Sequence, residues 1–480
     1  MLFAPVCGVL GDRFNRKRII LIGEIVWVLA VFASSFIPQE HFASFVLLRG
    51  IVGIGEASYA VVAPTFLADM FAGKTRSRVL MFFYFAIPVG SGLGYVIGSY
   101  VSSIVKAGRT DCLDCWQWGI RATPLFGVLT IIALIIGVDE PIRGQADRED
   151  EDKLNGPTES DNLNNRVHPS VPNEDVITVT APFKHKLANI YQDLVYLLKN
   201  QTFVWSTIAY TAVVFSTGTL TWWAPAAIEE AIAWHHNITN ATAVTDTEHV
   251  ALTFGGITCA GGIIGVAFGT VASLAWKRGL GFFSGYSSQR ADPLVSAIGS
   301  FLATPFLFLA IKLIDLNFII LAWFILFLTI VCLCLNWAVN VDMLMAIVVP
   351  HRRSIASAVQ ILISHAFGDA SGPWIVGAIS DSVRGDDKTP EAHFHSLVIA
   401  FYLPNALLFL SGITFLLAAY TLPKDLKLAE EWRTNRRGTD GSAQLTGVVQ
   451  TVDTGHLPLD DGDISPSNGL NQYQNEAFDP

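Results

Sequence analysis

Apolar residues run along this chain in blocks of span length, separated by short polar segments. A helix needs about 20 apolar residues to cross a hydrocarbon core about 30 Å thick. Blocks of that length lie at 19–37, 42–67, 79–104 and 119–138, and six more at 203–226, 251–276, 294–314, 318–338, 355–379 and 397–422. Ahead of them, residues 1–10 are apolar but only half a span long. This pattern predicts an all-α polytopic membrane protein with ten full spans plus a partial one, arranged as two helical bundles. The first bundle, 1–138, is incomplete; the second, 201–422, holds six helices.

The polar linker at 139–200 opens with Glu140-Pro141 and passes through an acidic run at 147–152. It continues rich in Asn, Pro and Ser, a composition expected to stay disordered at first. Its last part places Phe183, Leu187, Ile190, Leu194 and Leu197 at spacings of three and four. That spacing predicts an amphipathic helix lying under the membrane against the bundle. Asp193 to Leu198 also match an acidic dileucine sorting signal, but Leu194 and Leu197 fall on the apolar face, so packing is the preferred reading. The tail, 423–480, begins with a basic juxtamembrane patch from Lys424 and is otherwise polar, with no fold expected.

Composition agrees with the block pattern: 51% of residues are hydrophobic, 15% are charged, and the mean hydropathy is +0.45, which excludes an ordinary soluble domain. The 41 acids against 31 bases argue against a nucleic-acid partner. Cys7, Cys259, Cys332 and Cys334 fall in apolar runs, leaving Cys112 and Cys115 as a lone C-x-x-C in a loop. A zinc site would need two more ligands nearby, so a lumenal disulfide or free thiols are preferred, and no metal or cofactor is expected.

Bases set the orientation, because Lys and Arg are retained on the cytoplasmic side. Alternate loops carry Arg13, Arg16, Lys17 and Arg18, then Lys74, Arg76 and Arg78, then Lys277, Arg278 and Arg290, then Arg352 and Arg353. Opposite loops carry only Lys106, Arg109, Arg384 and Lys388. The linker and tail are therefore expected in the cytoplasm, and the glycosylation sequons at Asn237 and Asn240 on the outer or lumenal side.

The partial span ends in Gly8-Val9-Leu10-Gly11-Asp12-Arg13-Phe14-Asn15-Arg16-Lys17-Arg18. The positive-inside rule accounts for the bases and leaves the acid unexplained. Gly8 and Gly11 allow close helix approach, and Asp12 can pair with a base or accept hydrogen bonds from the N-terminus of a neighbouring helix. Arg13, Arg16 and Lys17 can bridge to another loop. The run resembles the signature that the major facilitator superfamily carries between its second and third helices, where the loop latches the two halves in one access state. Aligned on it, the chain reads as a twelve-helix transporter whose first helix, and part of its second, are expected before Met1. A cleaved signal would carry its bases ahead of the apolar run, the reverse of this order.

Two charges, Arg49 and Glu56, stand within one span. An ionised side chain at a helix centre costs at least about 2.5 to 3.5 kcal/mol, so such residues face a cavity or each other. Seven residues put them on one face about 10 Å apart along the axis, too far for direct contact. Glu56 suits proton binding and Arg49 a phosphate or carboxylate; the alternative is an interhelical salt bridge that orders the bundle. His365 and Asp369, four apart, share a face and form either a pH sensor or a polar pair fixing helix packing. Gly90, Gly94 and Gly98 are read chiefly as a packing row.

Here the resemblance narrows. The run from Arg49 to Tyr59, Ala63-Pro64-Thr65, Arg76-Ser77-Arg78 and the run from Phe83 to Tyr95 resemble the spinster family of lipid transporters. So do Trp223-Ala224-Pro225-Ala226, the run from Arg290 to Val295, Asn336-Trp337-Ala338 with Asp342, the run from Pro350 to Ser354, and the run from Ser364 to Ala370. The resemblance implies the major facilitator fold and a secondary transporter of lysophospholipid or sphingosine 1-phosphate, at the lysosomal or plasma membrane. It also implies alternating access, proton coupling in some members, and no enzymatic activity; a monomer is expected. A sugar or organic-anion transporter is the alternative within the class. A membrane acyltransferase would want a His-x-x-x-x-Asp pair at a membrane face, and His365 and Asp369 have the wrong spacing.

Overall fold

The computed structural model describes residues 2–108, 115–141, 183–238 and 250–452. Among these every regular element is helical. The first group is α1 (Ala4–Arg13), α2 (Arg16–Ser34), α3 (Phe42–Met70), α4 (Gly73–Tyr84), α5 (Ala86–Gly108) and α6 (Cys115–Gly137). The linker supplies α7 (Phe183–Lys199). The second group is α8 (Gln201–His235), α9 (Val250–Arg278), α10 (Ala291–Asp315), α11 (Ile319–Cys334), α12 (Trp337–Ile347), α13 (Arg353–Ser364), α14 (Gly372–Arg384), α15 (Pro390–Ala400) and α16 (Tyr402–Val452). Met1–Glu430 forms one compact unit; in the second, Glu431–Pro480, the described residues are the continuation of α16.

Helices dominate because no water inside a bilayer can satisfy a freed N–H or C=O, so the backbone must satisfy itself. Eight helical stretches are long and apolar enough to cross a membrane: Phe42–Met70, Thr75–Gly98, Gln117–Gly137, Gln201–His235, Val250–Phe283, Ala291–Asp315, Ile319–Ile347 and Pro390–Trp432. The blocks at 19–37 and 355–379 also form helices. However, α2 carries Arg16, Lys17, Arg18 and Glu24 within its length, and the later block is interrupted.

Four blocks that read as single spans are broken. The α4 to α5 and α15 to α16 junctions lie just before Pro88 and Pro404, each of which lacks an N–H for the helix ladder. At the α11 to α12 junction the Asn336 carboxamide donates to the Leu333 carbonyl at 3.0 Å, competing with backbone pairing. Between α13 and α14 a π-helical turn, His365–Asp369, contains Gly368 at φ −104°, ψ −106°, outside helical geometry.

Ends are capped as the local residues allow. Asn15 accepts from the Arg18 N–H and Asn200 from the Phe203 N–H, both at 2.9 Å. In α7, Leu197 is 1% exposed whereas Leu194 is 37% and Leu198 70% exposed, so the dileucine match is half buried by packing. Beyond Leu422, Asp425 is buried and accepts from the Thr202 N–H at 2.8 Å. This contact holds the chain to Glu430 in the first unit, later than the boundary that hydropathy places at 422.

The glycine row behaves differently from its reading. A Cβ at Gly90, Gly94 or Gly98 would meet nothing within 4 Å; α5 approaches α9 through Gly92, where a Cβ would stand 2.6 Å from the Cβ of Cys259. Asn237 ends α8 in the left-handed region at φ 52°, which Asn tolerates. Asn240, Cys112 and the acidic run at 147–152 lie outside the described residues.

Candidate functional site

At the end of the bundles that carries most of the bases, the two helix groups meet along a seam closed by acids. Asp12, from α1, accepts the Ser354 N–H at 3.2 Å and the Ile355 N–H at 2.9 Å. These are among the first free donors of α13, where the helix dipole favours a negative charge. The approach is possible because α1 has glycines there: a Cβ on Gly8 would stand 2.6 Å from the Ala358 Cβ and 2.9 Å from the Ser354 carbonyl oxygen. On Gly11 it would stand 3.0 Å from Val62 and 3.3 Å from Ser354 Oγ.

Behind Asp12 stands Asp69, at the end of α3. Arg16 pairs with one of its oxygens and Arg353 of the second bundle approaches the other at 3.4 Å. All three side chains are 1% exposed. Arg16 also donates to the carbonyls of Gly11 at 3.2 Å and Thr65 at 3.3 Å, and Arg353 donates to that of Met345 at 3.0 Å. Guanidiniums stay charged, so burying them is tolerated only when they are so matched. Arg13 sends its field toward the linker helix, and Lys17 donates from Nζ to the Ile135 carbonyl at 3.1 Å. The N–H groups of Arg16 and Lys17 both reach the Glu140 carboxylate, at 3.0 and 2.8 Å, tying the start of the linker to α2.

A second acid repeats the arrangement with the bundles exchanged. Asp342, in α12 of the second bundle, takes Arg76 Nε of the first bundle at 2.8 Å and the Ser77 hydroxyl at 2.6 Å. Lys277 from its own bundle lies 3.6 Å from Asp342 and 2.7 Å from Asp292, which also accepts from the Ser273 hydroxyl. Thus each bundle contributes one buried acid held by a base of its own and a base from across the seam.

Gly8→Val is expected to keep α1 off α13. A side chain pressed on backbone and Ala358 costs about 1–3 kcal/mol in the closed arrangement. Solvent access to a cysteine introduced at Val62 would rise, and an unchanged access would refute the close-approach account.

Nearer the middle of the bundles the intramembrane charges converge. The Glu56 carboxyl feels the charges of His365, Asp369 and, more weakly, Arg49, so groups from both bundles share one field. His365 Nδ1 lies 2.7 Å from Asp369 Oδ2. Glu56 is half-buried and Arg49 exposed on α3, with no direct contact between them. Tyr59 lies in the field of both Glu56 and Glu24, and Tyr210 in that of Asp369. Glu24 accepts from the Thr130 hydroxyl. Among the described residues no group of three or more His, Cys, Asp or Glu could hold a metal.

Asp69, Asp342, Lys277 and Asp292 carry the seam, yet no single-residue signal marks them, since acids and bases at span ends are ordinary. Glu24 could have been flagged as an acid inside an apolar block.

Residues 1–373 match the family model of the Major Facilitator Superfamily. The chain is 36% identical to Protein spinster homolog 1 of Xenopus laevis over 431 residues, covering 90% of this chain and 73% of the relative. It is 35% identical to Protein spinster homolog 3 of Danio rerio, covering 94% and 80%, and 36% identical to the sphingosine-1-phosphate transporter SPNS2 of Mus musculus, covering 90% and 70%. Among solved structures, a bacterial homolog of the human lysosomal transporter Spinster, inward-facing and unoccupied, superimposes with a TM-score of 0.55 at 16% identity, covering 88% of this chain and 87% of that one. The proton:xylose symporter XylE superimposes with a TM-score of 0.52 at 16% identity, covering 88% and 84%. A multi-pass membrane chain with this helix order, this seam and these relatives belongs to the spinster family of the major facilitator superfamily.

Proposed function

We propose that the protein carries a lysophospholipid or a sphingoid phosphate across a membrane by alternating access, and that it catalyses no chemical step. The observation that carries this reading is the paired seam: two buried acids, Asp69 and Asp342, each bound from both bundles, while Glu56 of one bundle shares a field with His365 and Asp369 of the other. Closure at the basic end and charge convergence midway are what a rocking pair of bundles needs. The lipid class rests on the chain's 36% identity to the sphingosine-1-phosphate transporter SPNS2.

On this reading the basic end faces the cytoplasm, as the distribution of Lys and Arg supports. Asn237 and Asn240 then face the lumen or exterior as glycosylation sites, and the membrane is lysosomal or plasma. Gly8, Gly11, Asp12, Arg13, Arg16 and Lys17 form the gate. Arg49, Glu56, His365 and Asp369 line the path of substrate and proton, with Arg49 suited to a phosphate. The transporter works as a monomer.

The test is reconstitution in proteoliposomes loaded with labelled lysophosphatidylcholine, sphingosine 1-phosphate or glucose, with an imposed pH gradient. Gradient-dependent flux of a lipid is expected; flux of glucose alone would favour the sugar reading, for which the XylE likeness offers fold only. Glu56→Gln is expected to abolish the acceleration by the gradient while leaving flux at its gradient-free level. Full gradient dependence in that variant would remove Glu56 from coupling.

A further inference from the structure

Three consecutive residues at the start of α13 hold three different parts of the molecule. The Ser354 N–H reaches Asp12, Arg353 reaches Asp69, and Arg352 turns away from the seam onto the linker helix α7. Arg352 Nε lies 2.8 Å from Asp193 Oδ1, and its guanidinium carbon stands 4.6 Å from the centre of the Tyr196 ring. Next to Tyr196, Leu197 is buried in a cluster that draws Leu80 and Tyr84 from α4 and Leu344 and Ile347 from α12. Asn200, just after α7, donates from Nδ2 to the Ile347 carbonyl at 3.3 Å. Asp193 also sits in the field of Arg13, from the first bundle.

From these contacts we propose that α7 is a positioning element of the latch. Asp193 and Tyr196 hold Arg352 so that the first turn of α13 presents Arg353 to Asp69 and its free N–H groups to Asp12. The inference rests on the alternating-access reading of the seam.

An arginine side chain has many rotamers to lose, so Arg352 stays in one arrangement only if something pins it. An acid on one side and an aromatic face on the other do so. Burial raises the Asp193 carboxyl above its usual range, with Arg352 and Arg13 pulling it back. Lost hydration therefore offsets much of the attraction, and the pair sets a geometry more than it adds stability. A linker helix that merely packed would show the opposite signature, a loss of stability without a change in opening.

The experiment uses the full chain with spin labels on Arg78→Cys of the first bundle and Tyr286→Cys of the second, both exposed. Pulsed dipolar spectroscopy then gives the closed and open fractions at the basic end. Arg352→Gln, Asp193→Asn and Tyr196→Leu are each expected to raise the open-to-closed ratio about two- to fivefold, the range of half-exposed charge pairs. Thermal unfolding stays unchanged, and Arg352→Lys and Tyr196→Phe retain the wild-type ratio. Asp69→Asn serves as the reference that opens the seam directly. If it opens the seam while the three α7-side variants leave the ratio unmoved or only lower stability, the inference falls and the latch stands. If Asp69→Asn itself leaves the ratio unmoved, the reading of the seam falls and the inference with it.

Discussion

Asp69→Asn is expected to depopulate the closed arrangement and to reduce transport to background. The substitution keeps the shape of the side chain but takes the Asp69 charge away from Arg16 and Arg353, both 1% exposed. Removing one partner of a buried pair costs about 3–5 kcal/mol, far above the worth of an exposed ion pair. Arg16 and Asp69 belong to one bundle, so only the Arg353 share of that cost biases the equilibrium; at about 1.4 kcal/mol per factor of ten, half of it lowers the closed-to-open ratio by about one order of magnitude. The single-base variants dissect this loss. Arg353→Gln removes the contact across the seam, together with the Arg353 hydrogen bond to the Met345 carbonyl, and leaves Arg16 paired with Asp69 inside its own bundle, so it should open the seam with less damage to stability than Asp69→Asn. Dipolar distances across the basic end report opening and thermal unfolding reports stability; equal opening in wild type and Asp69→Asn would overturn the assignment.

Asp342→Asn is expected to have the next largest effect and to fall short of the first. Arg76 loses its acid and the Ser77 hydroxyl loses a charged acceptor, but Lys277 keeps Asp292 at 2.7 Å. One base rather than two loses its closest acid, which places the cost near the lower end of the range, about 3 kcal/mol. Lys277→Met should be worse for stability than for gating, because it leaves Asp292 buried with Ser273 as its remaining neutral partner. The order of the two Asp variants in the same distance measurement is the check; an Asp342→Asn effect larger than that of Asp69→Asn would show that Lys277 does not compensate.

Much of the fold is legible in hydropathy, because a bilayer demands span-length helices and little else can produce such blocks. The role of Asp12 as an acceptor for a neighbouring helix start was also legible, since a carboxylate at a glycine-lined helix end has few other partners. So was the His365 to Asp369 contact, set by a spacing of four. The rest depended on which helices become neighbours. Asp69 and Arg353 are far apart in the chain, and each alone looks like an ordinary charge at a span end. The same limit applies to the glycines of α5. Periodicity groups Gly90, Gly94 and Gly98 on one face, but only the position of α9 shows that Gly92 makes the close approach. The helix breaks escaped hydropathy because a proline or a carboxamide inside an apolar block changes backbone pairing without changing the apolar count.

The π-helical turn at His365–Asp369 has a mechanical consequence. The segment α13 runs from Arg353, which the seam grips, to this turn, where Gly368 leaves helical geometry. Twelve residues of helix make a rod about 18 Å long. On the alternating-access reading, a break in the helix at one end and a clamp at the other would make the rod a lever. Its fulcrum is the pair of side chains that shares a field with Glu56. On the proposed coupling, a proton arriving at the fulcrum and a swing of the clamped tip would be two ends of one displacement, so that work done at either end is felt at the other.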